Sequence, residues 1–490
     1  MNRLTPSGFL IISLGLALLT SSCANEKYQA KPIEPAKVIA KLNNKDTSNA
    51  EFKAYLIKQG YKESDLPFAS WGLNELTLCA LYYHAKLDVA KAQLALANAN
   101  LETAGLKQTP ILNGNIARSN LANGDKRPWA YGLNVEIPIE TGNKRDIRIE
   151  EAQHLAEAAR IDIADTAWQL RSQIAKDLLR YHENIVQQQQ LSLELKTQDA
   201  LIKILEKRVQ LGALSNTELN AAKLLQQKTL FALNTAQAKS YEIRAILAAD
   251  VGLNNEKFNQ LTLKSFDIEA TLTKQATQLE APAAKQLQEN ALLNRLDIRR
   301  SLEKYTAAEA KIKLEVAKQT PDISLNPGFA FEFGDSIWSL GFSTLLNLLN
   351  KNQTLIKEAT QLREIEGAQF EALQAKIIGD VDQTLATYQA SLQNVTQVKQ
   401  QQAAQLAYSQ KLQRQFDAGL IDRLDLTQNQ LNSTLLAQQM LNAQFNNLNA
   451  ALALEDMMQR PVFDDFTMNT TIPKTMPTSG SAEIAETSHE

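Results

Sequence analysis

Trp129-Ala130-Tyr131-Gly132-Leu133 returns, about 210 residues later, as Trp338-Ser339-Leu340-Gly341-Phe342. The echo extends outward from this phrase. Thr109-Pro110-Ile111 returns as Thr320-Pro321-Asp322-Ile323. Gly212-Ala213-Leu214-Ser215 with Glu218-Leu219 returns as Gly419-Leu420-Ile421-Asp422 with Asp425-Leu426. The body from Leu76 to Leu253 is thus written again from Leu287 to Val462. A period this long exceeds any solenoid unit, so each copy is a whole sub-domain.

Around the first phrase, Trp129, Tyr131, Leu133, Val135, Ile137 and Ile139 alternate with Ala130, Gly132, Asn134, Glu136 and Pro138. Period two is the signature of a strand with two different faces. The strand before it, near Ile111–Ser119, alternates poorly and is placed by position. In the second copy Ile323, Leu325, Phe329, Phe331 and Phe333 alternate with small or polar residues. A short loop at Gly334-Asp335 leads to Trp338, Leu340, Phe342, Thr344 and Leu346. Strand pairs are therefore expected at 110–140 and 322–347.

Helical patterns fill the remainder. Leu73–Leu106 and Ala284–Lys318 precede the strand pairs. Asn143–Gln210 follows the first pair without a Pro or Gly, and would reach roughly 100 Å. Asn352–Asp417 follows the second. Gly212 and Gly419 end these long helices by C-cap logic, and shorter helices return to about Ala249 and Met458. In the last helix Leu424, Leu431, Phe445 and Leu452 keep a coiled-coil spacing, with Leu441 and Leu448 as a second row. The plan reads 1–22 signal peptide, 23–72 N-terminal tether, 73–253 first repeat, 254–283 polar connector, 284–462 second repeat and 463–490 disordered tail.

Composition narrows the classes. The chain has 490 residues and a net charge of -3, which offers no basic field to nucleic acid. Two cysteines, Cys23 and Cys79, exclude a disulfide framework. Arg3 and the apolar run Phe9–Leu19 form an export signal too short to span a bilayer. Ser21-Ser22-Cys23 resembles the end of a bacterial lipoprotein signal, with Cys23 as the acylated (palmitate-bearing) residue. Thr20 stands where such signals usually place Leu. Ala24 and Asn25 lack the Asp that, in enteric lipoproteins, retains the protein at the inner membrane, so the outer membrane is the expected destination.

Strands of about ten alternating residues in an exported chain suit a transmembrane β-barrel. Trp129 and Trp338 begin matching strands, as interfacial girdle residues would. Four strands cannot close a barrel, and lipid tolerates no open sheet edge, so copies must pool strands. A dimer would give eight, with a filled interior, and a trimer twelve, with a lumen. The Ala-rich helix around Ala90–Ala99 allows the close packing of a helical wall. The expected fold is mainly α with a small β part: a trimeric α-helical barrel continuous with a 12-stranded transmembrane β-barrel, built from two internal repeats.

Helix, strand pair, long helix, Gly turn and helix, written twice, resembles the TolC-type outer-membrane efflux proteins over about Leu73–Val462. Arg414-Gln415-Phe416-Asp417-Ala418-Gly419-Leu420-Ile421-Asp422-Arg423-Leu424-Asp425-Leu426 is similar to that family's turn. Arg295-Leu296-Asp297-Ile298 resembles its Arg-Pro-Asp-Leu, with Leu296 replacing Pro. Ile137-Pro138-Ile139-Glu140-Thr141-Gly142-Asn143-Lys144-Arg145 resembles a stretch of the heavy-metal (cobalt-zinc-cadmium type) efflux branch, and Gly142 and Asn143 depart from its order.

The resemblance implies a passive duct in the outer membrane that exports small solutes or metal ions and catalyses nothing. Its implied partners are two further copies in a homotrimer, a periplasmic adaptor protein, an inner-membrane transporter of the RND type and outer-membrane lipid. No nucleic acid is implied, and no cofactor or metal. Gly212 and Gly419 would lie at the periplasmic tip where adaptors dock, and Asp425 with Glu218 at a closed entrance. A solvated helix face is the alternative for both carboxylates. Two rivals stay open: a periplasmic adaptor and a structural coiled-coil lipoprotein without a pore. Adaptors insert β-rich segments between hairpin helices, where Gly212 and Gly419 have only helix on both sides. A coiled coil has no use for the Trp-bearing hairpins. His84, His154, His182 and His489 show no metal spacing, and no nucleophile set or phosphate loop stands out.

Overall fold

The computed structural model of the chain describes residues 28–120, 128–278, 284–332, 334–344 and 351–460. The signal segment, Cys23, Phe333, Leu346 and the tail from 463 lie outside the described residues. The chain falls into two compact units, Met1–Lys45 and Asp46–Glu490. In the first, the described part holds one short helix, α1 (Pro35–Asn43), with Pro at its start, where the missing N–H costs nothing.

The second unit opens with α2 (Ala50–Lys58), whose N-cap Asn49 accepts from Glu51 N at 2.8 Å. The segment read as a tether is more than that. Phe52, Leu56 and Trp71 are buried in a hydrophobic core with Leu76, Cys79, Ile243 and Leu247. Two helices follow, α3 (Leu73–Tyr83) and α4 (Ala85–Ala104), then strands β1 (Ile111–Arg118) and β2 (Trp129–Ile139). Next come the 67-residue α5 (Lys144–Gln210) and its return helix α6 (Asn216–Val251). The connector carries α7 (Asn255–Asn259) and α8 (Ile268–Gln278). The second repeat supplies α9 (Ala284–Asn294), α10 (Leu296–Ala317), β3 (Ile323–Glu332), β4 (Asp335–Thr344), the 65-residue α11 (Gln353–Asp417) and α12 (Arg423–Met458). Gly367 and Gly379 both stay helical within α11.

The first helix of each repeat, expected unbroken, is split in two. The breaks fall at His84 and Arg295, equivalent places in the two copies, and neither carries Pro or Gly to announce it. His84 caps α4, its Nδ1 accepting from Lys86 N at 3.1 Å. Leu296 begins α10 where a Pro would have no N–H to satisfy. Here that N–H donates to Gln459 Oε1 at 2.7 Å.

Helix α5 is the spine of this unit, packing against α4, α6, α10 and α12, while α11 packs against α10 and α12. The repeat governs the interior too. Leu76 and Leu247 of the first core correspond to Leu287 and Leu454 of the second, all four buried. The coiled-coil rows of α12 point inward: Phe445, Leu448 and Leu452 are buried against Ala175 and Leu179 of α5. At the same crossing Arg171 of α5 and Glu455 of α12 form an ion pair with side chains 0% and 1% exposed.

Candidate functional site

The four strands form one antiparallel sheet in the order β1-β2-β3-β4. Directly paired residues share a face. Tyr131 pairs with Phe331, Leu133 with Phe329, Phe329 with Trp338 and Leu325 with Phe342. Ile116 pairs with Tyr131 and Leu112 with Val135. One face is therefore apolar and aromatic across all four strands. It is tied together by stacking of Tyr131 on Phe331, centroids 5.1 Å apart, and contact of Phe329 with Trp338 at 4.9 Å. The opposite face carries Asn113, Asn115, Asn134, Glu136, Asn326, Ser339 and Ser343. Among the described residues the apolar face is bare. Trp338, Leu340 and Phe342 are 82%, 76% and 78% exposed, and Trp129 is half exposed beside Arg118. Among the described residues, the outer edges of β1 and β4 pair with no other strand.

At the far end of the long helices the two Gly turns are built alike. Gly212 N–H donates to Val209 O and Ala213 N–H to Arg208 O, both at 2.9 Å. Gly419 N–H donates to Phe416 O at 2.9 Å and Leu420 N–H to Gln415 O at 2.8 Å. These paired bonds close a helix through a left-handed residue, and Gly212 and Gly419 sit at φ +72° and +71°. Nothing lies within 4 Å of where a Cβ would stand at either, so backbone conformation, not crowding, demands glycine.

Glu218 and Asp425 occupy the third helical position of α6 and α12, and both are exposed. Only the second helix is capped. Asp422 accepts from Leu424 N at 2.7 Å and Asp425 N at 3.2 Å, and Asp425 Oδ2 accepts from Asp422 N at 3.4 Å. Asp425 thus belongs to a reciprocal capping box. Arg208, in the last turn of α5, reaches Asp422 Oδ2 at 2.5 Å and joins the two turns. Its guanidinium holds the Asp422 carboxyl below the usual carboxylate range. Leu205, Leu219 and Leu431 bury a small apolar cluster beneath this pair.

No sequence-family profile and no curated protein matches the chain. Solved structures do. The outer membrane protein VceC of Vibrio cholerae superposes with a TM-score of 0.63 at 17% identity, over 79% of this chain and 95% of that one. The outer-membrane channel OprN gives 0.64 at 16% identity, over 90% and 100% of the two chains. CusC, solved in a study of transmembrane channel formation, gives 0.63 at 16%, over 89% and 99%.

The chain has the TolC-type outer-membrane channel fold.

Several features of this chain escaped the sequence. The Arg208–Asp422 bridge joins residues 214 positions apart, and no local pattern marks it. The departure at Gly142-Asn143 has a geometric cause. Both residues are left-handed, at φ +66° and +54°, and Lys351-Asn352 repeats the pair at +44° and +59° before α11. Each strand pair enters its long helix through this double kink. The first is clamped by Lys144, buried, whose Nζ donates to Thr320 O and Asp322 Oδ1 at 2.6 Å each. The second is clamped by Asn352, whose Nδ2 donates to Glu315 O at 2.7 Å. A repeated residue-Asn step before each long helix was the available signal.

One titrating group in the helical wall makes folding pH-dependent. Burial first, and Asp177 beside it second, push the Asp250 carboxyl up to about 7. In the unfolded chain it titrates near 4. Between these values the folded state holds a proton that the unfolded state has lost, so stability falls as pH rises through that window. Allowing for solvent at this partly exposed site, the loss is about 2 kcal/mol. Asp250→Asn should flatten the melting-temperature profile between pH 4 and 7. A profile as steep as the parent's would assign the pH dependence to another group.

Proposed function

We propose that three copies assemble into an outer-membrane duct, the channel component of a tripartite efflux pump that passes small solutes or metal ions. The observation that carries this reading is the bare apolar face of a four-stranded sheet with two unpaired edges, joined to helices roughly 100 Å long. Three such sheets pool twelve strands, with β4 of one copy beside β1 of the next. The aromatic face then meets lipid, and Asn134 and Glu136 meet a wet lumen. Trp129 and Trp338 mark the interface with water. The long helices carry the passage across the periplasm to an adaptor, docked at the Gly212 and Gly419 turns, and to an inner-membrane transporter. No catalytic step is required of the chain. Purified protein reconstituted in planar bilayers should give discrete conductance steps, and silent bilayers containing correctly assembled trimer would refute the duct.

Asp425 and Glu218 serve in this reading as the entrance charges. Carboxylates repeated around a narrow three-fold axis attract cations. Asp425→Asn should keep the fold, because the residue is exposed and an amide oxygen still accepts the Asp422 N–H. Block by multivalent cations from the periplasmic side should weaken, and Glu218→Gln should weaken it less. Unchanged block in the Asp425→Asn channel would leave Asp425 as a solvated helix residue, with the gate elsewhere in the duct.

Cys23 is the proposed lipid attachment. The precursor should take up labelled fatty acid, and Cys23→Ala should take up none. Persistent labelling of the variant would place the acyl group elsewhere.

A further inference from the structure

Between α3, α5, α12 and the connector lies a cavity of ≈ 210 Å³ that the duct does not use. Its walls are apolar: Ala175, Leu178, Leu448 and Leu452 are each at least nine-tenths buried. Phe266 of the connector forms one side and is stacked on His182 of α5, centroids 4.8 Å apart with planes 12° from parallel. This connector segment is pinned rather than loose. Trp71 N–H donates to Thr262 O at 2.8 Å, and Lys264 N–H donates to Trp71 O at 2.9 Å. Lys264 Nζ also reaches Glu75 Oε1 at 2.7 Å.

We infer that this cavity is a binding site for a neutral, single-ring aromatic molecule, seated against Phe266 among the leucines of α5 and α12. Three arguments select that class. The first is size: an apolar cavity of about 150 Å³ takes benzene, and this pocket, open to solvent on one side, has room for a substituted ring. The second is charge. Lys264 on the wall is paired with Glu75, and burial holds His182 neutral, its pKa down at about 4. A charged ligand would find no free counter-ion among these lining residues. The third is shape. Phe266, stacked with both His182 and Phe445, lines the pocket, and aromatic rings gain from offset or edge-to-face contact beyond the area they bury. The site lies in the helical wall, within one chain, and its occupancy is independent of the duct reading.

Iodobenzene is the probe, because its iodine scatters anomalously. Crystals of the full chain soaked in it should show an iodine peak inside the cavity. In detergent solution the same compound should raise the melting temperature by a few degrees, as any ligand of the folded state alone does. Ala175→Met fills part of the space and should weaken that binding at least tenfold. Leu448→Ala enlarges the space and should admit iodonaphthalene, which the parent refuses, so the test survives if either variant folds poorly. The inference is overturned by iodine found only elsewhere. It is equally overturned by native crystals in which ordered water or a side chain of a neighbouring copy fills the cavity. Undiminished binding by Ala175→Met overturns it as well.

Discussion

Leu133→Arg should abolish assembly, while Asn134→Arg should be tolerated. The two residues are neighbours in β2, and alternation alone sends them to opposite faces. Leu133 stands opposite Phe329 on the aromatic face, and Asn134 opposite Gly328 on the small, polar one. An arginine facing lipid near the bilayer midplane costs about 2–4 kcal/mol per site. In a three-fold assembly that charge enters three times. Trimer yield in outer-membrane fractions, read by heat-modifiable migration, measures the effect. Equal yields from the two variants would mean that neither face meets lipid, and the membrane barrel would be lost with them.

Glu455→Leu should be the most damaging single change in the helical wall. It strands Arg171, whose side chain is 0% exposed. Among the described residues, Arg171 Nε and Nη2 have no hydrogen-bond partner even with Glu455 in place. Removing the counter-ion of a buried pair costs about 3–5 kcal/mol, because the remaining charge stays out of water. Replacing both members with apolar residues of similar volume is often neutral. Arg171→Met combined with Glu455→Leu should therefore recover most of what the single variant loses. Thermal melting in detergent separates the cases. A double variant as unstable as the single one would show that the damage comes from lost packing near Trp168, not from the stranded charge.

The two predictions differ in how far the sequence could have made them. Leu133 and Asn134 were assigned to opposite faces by period two alone, and the cross-strand register agrees. The repeat, the four strands and the two long helices were legible because each is a local pattern sustained over many residues. The Arg171–Glu455 pair was not legible. It joins positions 284 apart, and a charged residue on a helix ordinarily reads as solvated. The breaks at His84 and Arg295 were hidden for a related reason. Their caps come from a histidine ring and from Gln459, a residue far along the chain. Asp425 was singled out for its place six residues after Gly419, and its part in a capping box follows from its standing three residues beyond Asp422.

The strand order also governs how the chain must fold. β1 pairs with β2, and β3 with β4, across short connections, so each hairpin can form as its own repeat is completed. The central seam is different. Ile139 meets Ile323 across an intervening chain of about 180 residues, and such long loops must be closed before any contact rewards them. The helices face the same delay, because α5 of the first repeat packs against α10 and α12 of the second. Until the seam zips, β2 and β3 are open edges as well as β1 and β4, and all four invite pairing with the wrong chain. A newly made copy is most prone to misassociation in the interval after its helices form and before its own sheet is whole.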